Sequence, residues 1–278
     1  VRSSEKPPRL RGGGVTTTTY APAALITGAS SGIGCSYAEH LARRGYAPIL
    51  VARRADRLAE LAETIHRDTG LKATVLAADL ARVEKVVIDH DTLAVVVNAA
   101  GLGGLGPVLQ SEPATLNHVV AVNVLALTRL SRAALLSFSK RDSGTLINVS
   151  SIGAFKVPPN GAAYGASKAY DLLFSRGLQH EVEGTGICVQ VVLPGPVRTE
   201  FFDAAGMESS AFPQESFVDA DDFVRAALVG LDLGELVSIP TLPDTAILQD
   251  VTSRQERLRD AAGLRGIIAD RYTEPRSG

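Results

Sequence analysis

The chain has 278 residues, 45% of them hydrophobic and 21% charged, with a formal net charge of −2. That is a globular composition with ample core material, and it lacks the basic excess of a polyanion-binding surface. Low aromatic content and the absence of tryptophan argue against a base-stacking platform, so no nucleic-acid partner is expected.

Residues 1–20 carry Arg2, Lys6, Arg9 and Arg11, then three glycines and four threonines. With no apolar core they do not read as a secretory signal, and they are expected to form a disordered tail. The valine at position 1 would fit a start codon other than AUG. No apolar run approaches the roughly 18 residues of a spanning helix, so no membrane partner is expected and the location reads as cytoplasmic.

Strand-like and helical patterns alternate from there on. Strands are expected at Ala23–Thr27, Pro48–Ala52, Ala73–Ala78, Leu93–Asn98, Thr145–Ser150, Ile187–Leu193 and Leu236–Ile239. Most are continuous apolar runs, as in strands of a parallel sheet covered on both faces. Helices are expected at Gly32–Arg44, Ala55–Thr69, Arg82–His90, Ala114–Ser137, Tyr164–Glu183 and Ala220–Leu231. In the second, Leu58, Leu61 and Ile65 recur at helical spacing and form one apolar stripe. The alternation predicts an α/β fold: a single-domain, doubly wound, seven-stranded parallel sheet over residues 21–278, with a C-terminal extension from about 241.

The first strand runs into Thr27-Gly28-Ala29-Ser30-Ser31-Gly32-Ile33-Gly34 and then a helix. Gly28 permits the sharp turn, Gly32 lets backbone approach a pyrophosphate, and Gly34 lets the helix pack closely on the sheet. The helix N-terminus offers free N–H groups and partial positive charge to phosphates, with Ser30, Ser31 and Ile33 in the same loop. Cys35, next in the helix, reads as a small packing residue. Cys35 and Cys188 belong to no CxxC or Cys/His cluster, and His40, His66, His90, His118 and His180 are scattered. No metal site or disulfide is expected, and the thiols read as reduced.

The second strand ends at Ala52, where an NAD-selecting fold carries an acidic residue for the ribose 2′-hydroxyl. Here Arg53 and Arg54 follow instead. A guanidinium can pair with a 2′-phosphate, which favours NADP(H) over NAD(H), with Arg53 as the expected contact. Asp79, beside Leu80 at the end of the third strand, reads equally as an acceptor for the adenine amino group and as a helix N-cap.

Tyr164 and Lys168 stand at i and i+4, hence on one helix face. An ammonium beside the phenol favours phenolate and lowers its pKa from about 10. Ser151 ends a strand, and Pro194-Gly195-Pro196-Val197-Arg198-Thr199 ends the next. Ligands bind at such carboxyl ends. Ser151 lacks a G-x-S-x-G elbow, which excludes a serine hydrolase.

Together these motifs resemble the short-chain dehydrogenase/reductase family, in its ordinary branch of about 250 residues, over about Ala23 to Ile239. Thr27 to Gly34 matches the family's T-G-x-x-x-G-x-G loop. Asn98-Ala99-Ala100-Gly101 matches its N-N-A-G element with Ala99 in place of the second asparagine. Asn123, Ser151, Tyr164 and Lys168 match the catalytic set. Pro194, Gly195, Val197 and Thr199 match the segment around the nicotinamide.

The resemblance implies hydride transfer between NADP(H) and a carbonyl or alcohol. Tyr164 would act as proton donor or acceptor, Ser151 would orient the substrate oxygen, and Lys168 would tune Tyr164 and bind the ribose. Asn123 would support a water relay to Lys168. An epimerase, a dehydratase or a non-enzymatic NADP(H)-binding sensor remains the alternative. The V-A-R-R strand ending and the C-terminal segment resemble bacterial NADP-dependent reductases. The resemblance also implies a homodimer or homotetramer built on the long helices. Phe201, Phe202, Met207 and Phe212 fall in an apolar stretch, about 198–218, which reads equally as a lid that closes over a hydrophobic substrate and as a fixed helical cover.

Overall fold

The computed structural model describes residues 21–80, 83–104, 106–157, 159–205, 212–263, 266, 268, 269 and 272. The expected N-terminal tail, Met207 in the lid and Ile267 near the C-terminus lie outside the described residues. The chain divides into two units, Val1–Pro240 and Thr241–Gly278.

In the first unit the apolar runs form β1 (Ala23–Thr27), β2 (Ala47–Ala52), β3 (Thr74–Ala77), β4 (Leu93–Asn98), β5 (Gly144–Val149) and β6 (Ile187–Val192). Two residues of β9 (Val237–Ser238) complete a seven-stranded parallel sheet in the order β3-β2-β1-β4-β5-β6-β9. The expected doubly wound sheet is therefore present. Every residue of β1 and β6 is buried, which is why those segments read as unbroken apolar runs. The edge strand β3 is mostly exposed and shorter than its apolar run implied.

The helices α1 (Gly32–Arg43), α2 (Ala55–Thr69) and α8 (Ala220–Leu233) belong to one face of the sheet. There Leu41, Leu58, Ile65, Phe223 and Leu228 pack with Ile26, Leu50 and Val97. On the other face α3 (Glu84–Asp89), α5 (Leu127–Ser139) and α6 (Ala162–Glu181) close a second core around Leu25, Val96, Phe138 and Leu146. Gly70 and Gly234 end α2 and α8 in the left-handed conformation that an L side chain resists.

Two features differ from the sequence reading. The long fourth helix is α4 (Pro113–Val120), a π turn at Ala121–Ala126, and then α5. Val119, Asn123, Ala126 and Leu130 are buried at spacings of three and four through the turn, so the residue pattern still reads as one continuous helix. The whole segment Pro113–Ser139 also has the length and apolarity of a membrane span, which corrects the expectation that none would. Its residues Val119, Leu127, Leu130 and Phe138 are nonetheless buried in the protein.

The second difference lies after β6. A two-stranded parallel pair, β7 (Val197–Arg198) with β8 (Val218–Asp219), brackets the expected lid, and α7 (Phe201–Ala204) lies between them. In the second unit, α9 (Ala246–Gly263) buries none of its side chains.

Candidate active site

The strand order reverses between β1 and β4, and a cleft of about 1040 Å³ opens at the carboxyl ends of the strands. All but two of the site residues expected from sequence line it. The exceptions, Asn98 and Asn123, are buried behind its wall.

At one end, β1 turns into α1 through Gly28 and Gly32, whose φ angles are 69° and 54°. A Cβ on Gly34 would lie 2.4 Å from the Gly28 carbonyl oxygen, and one on Gly32 would meet Thr199 Cγ2 at 2.7 Å. The loop is thus a close-packed cradle in which only glycine fits, as backbone approach to a pyrophosphate requires. Ser31 is the N-cap of α1, yet its hydroxyl caps no helix N–H. It accepts instead from Arg54 Nη2 at 2.8 Å. The first-turn N–H groups therefore keep their capacity for an anion.

Arg54 also bonds Ser30 Oγ through Nε at 3.2 Å and Nη2 at 3.0 Å. Its Nη1 pairs with Glu200 Oε2 at 2.8 Å, and Arg57 pairs with the other carboxylate oxygen. Hydrogen bonds from Arg54 and Arg57 hold the Glu200 carboxyl below its ordinary range. Arg53 lines the cleft but is exposed and makes no ion pair among the described residues. The second arginine of the pair, rather than the first, is thus fixed against the loop. The sequence made Arg53 the expected contact, but which of the two side chains turns to the loop depends on how β2 runs into α2.

Thr27 joins the loop to β4. Its Oγ1 accepts from the backbone N–H groups of Ala99 and Ala100, each at 3.1 Å, and donates to the Val97 carbonyl at 3.3 Å. Ala99 therefore costs the site no anchoring on the backbone side. Asn98 donates from Nδ2 to Asn148 Oδ1 at 2.9 Å and to Ser131 Oγ at 3.2 Å, tying β4 to β5 and α5.

At the other end stand Ser151, Tyr164 and Lys168. Ser151 follows β5 in extended conformation, and its hydroxyl accepts from Gly153 N at 3.0 Å. Lys168 is 5% exposed. Its Nζ donates to the Val149 carbonyl at 2.9 Å and to Asp171 Oδ2 at 3.1 Å. Burial works against the Lys168 charge, but Asp171 and Tyr164 together carry its pKa above the ordinary value.

Asn123 lies in the π turn. Its Nδ2 donates to the Leu102 carbonyl and to Ser167 Oγ, each at 2.9 Å, and its Oδ1 accepts from Leu102 N at 2.8 Å. The side chain is fully engaged in holding the loop after β4 against α6. Cys35 is half-buried, and burial pushes its thiol up to about 11, in keeping with a packing role.

Aromatic side chains roof this end. The Phe201 ring is 5.7 Å from that of Tyr164, and Phe202 packs edge-on to Phe201, Phe212 and Phe217 at 5.8, 5.6 and 5.4 Å. The β7–β8 pair and an Arg198–Asp219 ion pair of 3.3 Å close the base of this segment.

A glycine cradle at a helix N-terminus, on a parallel sheet at the point of strand reversal, defines a dinucleotide-binding α/β protein. The family profile described as short chain dehydrogenase matches residues 22–209, and the chain belongs to that family. Among curated relatives, a very-long-chain 3-oxoacyl-CoA reductase of Anas platyrhynchos is 30% identical over 220 residues, covering 75% of this chain and 69% of that protein. A 17-beta-hydroxysteroid dehydrogenase type 3 of Danio rerio is 34% identical over 225 residues, covering 76% and 70%.

Among solved structures, a short-chain dehydrogenase from Sphingobium yanoikuyae in complex with NADPH superposes with a TM-score of 0.85 at 36% identity, covering 90% of this chain and all of that one. The bulky-bulky ketone specific alcohol dehydrogenase from Comamonas testosteroni superposes at 0.82 with 33% identity, covering 92% of this chain and all of that one. The protein is an oxidoreductase of this family.

Proposed function

We propose that the protein is an NADP(H)-dependent reductase that interconverts a hydrophobic ketone or aldehyde and its alcohol. The observation that carries the reading is the arrangement of the cleft at the carboxyl ends of the strands. Arginine and serines at a helix N-terminus stand at one end, and Ser151, Tyr164 and buried Lys168 stand under an aromatic roof at the other.

Gly28, Gly32 and Gly34 would admit the pyrophosphate to the first turn of α1, with Ser31 and Ile33 beside it. Arg54 and Ser30 would hold the 2′-phosphate, with Arg53 on the exposed side. Asp79 and Leu80 would border the adenine, while Pro194, Gly195, Val197 and Thr199 border the nicotinamide and Lys168 takes its ribose. When bound, the nicotinamide supplies or accepts the hydride.

The chain's own groups manage the oxygen. Ser151 and Tyr164 hydroxyls bond it, and Tyr164 gives it a proton as charge develops there. Lys168, charged and fixed by Val149, stabilises the tyrosinate that remains. Asn123 keeps its side chain for structure, so its part in reprotonation falls to its main chain within the π turn. The phenylalanine roof excludes water and favours apolar substituents on the carbonyl. The bulky ketones named for the Comamonas enzyme suit such a roof. Exposed Leu125, Leu136 and Leu173 on the long helices support the homo-oligomer expected from sequence.

Titration of the full chain with NADPH and with NADH, followed by cofactor fluorescence, tests the cofactor half of this reading. NADPH should bind at least about tenfold more tightly, a difference of about 1.4 kcal/mol. Arg54→Gln should lose most of that preference while binding NADH as before. Equal affinity of the wild type for both cofactors would overturn the NADP(H) assignment.

A further inference from the structure

Lys168 has a buried partner that the chemistry above does not use. Asp171, one turn further along α6, is fully buried, and its Oδ2 is 3.1 Å from Lys168 Nζ. Its other oxygen, Oδ1, has neither solvent nor a hydrogen-bond partner. A half-satisfied buried carboxylate is a costly way to fill space that an aliphatic side chain would fill well. Packing alone therefore does not account for a charge at this position.

The surroundings leave the pair electrically isolated. Lys168 is the charged group acting on Asp171, whose carboxyl is pushed up by burial and pulled down by Lys168. Asp171 and Tyr164 act on Lys168. The elements packed on α6 turn uncharged side chains toward it: Asn148 from β5, Ile187, Val189 and Val191 from β6, and Asn123 from the π turn. The turn Ile152–Ala154 carries no ionisable group, and His118 is the one titratable residue of α4.

We propose that Asp171 is a positioning residue that sets the field at Tyr164. Lys168 Nζ is also held by the Val149 carbonyl, and Asp171, by pairing with it, offsets part of the ammonium charge as Tyr164 experiences it. Tyr164 then holds its proton to higher pH, which sets the site toward donating a proton, that is, toward carbonyl reduction. A lysine without such a partner would exert its full field and favour tyrosinate, the form needed for alcohol oxidation. The proposal rests on Tyr164 being the proton donor.

The test is a tyrosinate absorbance titration of the full-length protein. The Tyr164 component is the part that disappears in Tyr164→Phe. In Asp171→Asn, which keeps the shape, and Asp171→Leu, which keeps the packing, that component should move to lower pH by about one unit. A structural role would not produce the same displacement in two such different side chains. An unmoved component, or one displaced to higher pH, overturns the proposal. The titration needs no substrate. If Tyr164→Phe still turned over a ketone, the reading of Tyr164 would fail by a separate measurement.

Discussion

Thr27 shows how one side chain can carry a site that it does not touch chemically. Its Oγ1 takes two backbone N–H groups from the loop after β4, a segment some seventy residues away in sequence. Thr27→Val keeps the shape and takes the acceptor away from both partly buried donors. Such a loss costs about 1–3 kcal/mol for each unsatisfied group. We expect the variant to unfold at lower denaturant concentration and to bind NADPH more weakly, as equilibrium unfolding and cofactor titration would show.

The glycines around Thr27 were legible in the sequence because their spacing encodes a backbone requirement. Ser151, Tyr164 and Lys168 were legible as a set. Thr27's partners and the Lys168–Asp171 pair were not. Asp171 at i+3 from a lysine reads as an ordinary surface ion pair until burial is known. Arg53 and Arg54 differ only in side-chain direction, which neighbouring residues in sequence do not fix.

At the scale of elements, strands buried on both faces announced themselves as continuous apolar runs. The pieces that escaped are short or non-local. The β7–β8 pair consists of two residues in each strand, joined across the whole lid. The π turn hides inside an apolar helix and carries Asn123 to the loop after β4.

The roof over Tyr164 is an element of the same kind, held by ring contacts rather than by regular structure. Phe202 is its hub, touching Phe201, Phe212 and Phe217. Phe202→Ala should raise KM for a bulky aryl ketone about tenfold, near 1.4 kcal/mol, while NADPH affinity stays within about twofold. Steady-state kinetics with that ketone would check it. Unchanged KM would show that the roof does not contact substrate.

At the scale of the molecule, the topology creates the site. Reversal of strand order between β1 and β4 leaves a crevice that neighbouring crossover helices cannot fill. One half of the sheet contributes the glycine loop and Arg54. The other contributes Ser151, Tyr164 and Lys168 from β5 and α6. The two functional ends meet only because seven strands add in that order, so binding of the cofactor and handling of the proton should be separable by mutation.

The most direct test exploits that separability. NADPH oxidation dependent on an aryl alkyl ketone would be measured for the wild type and for Tyr164→Phe, with NADPH affinity measured in parallel. The account predicts ketone-dependent oxidation by the wild type, a fall of about 10²–10⁴-fold in the variant, and unchanged NADPH binding. Turnover by Tyr164→Phe near the wild-type rate would contradict it.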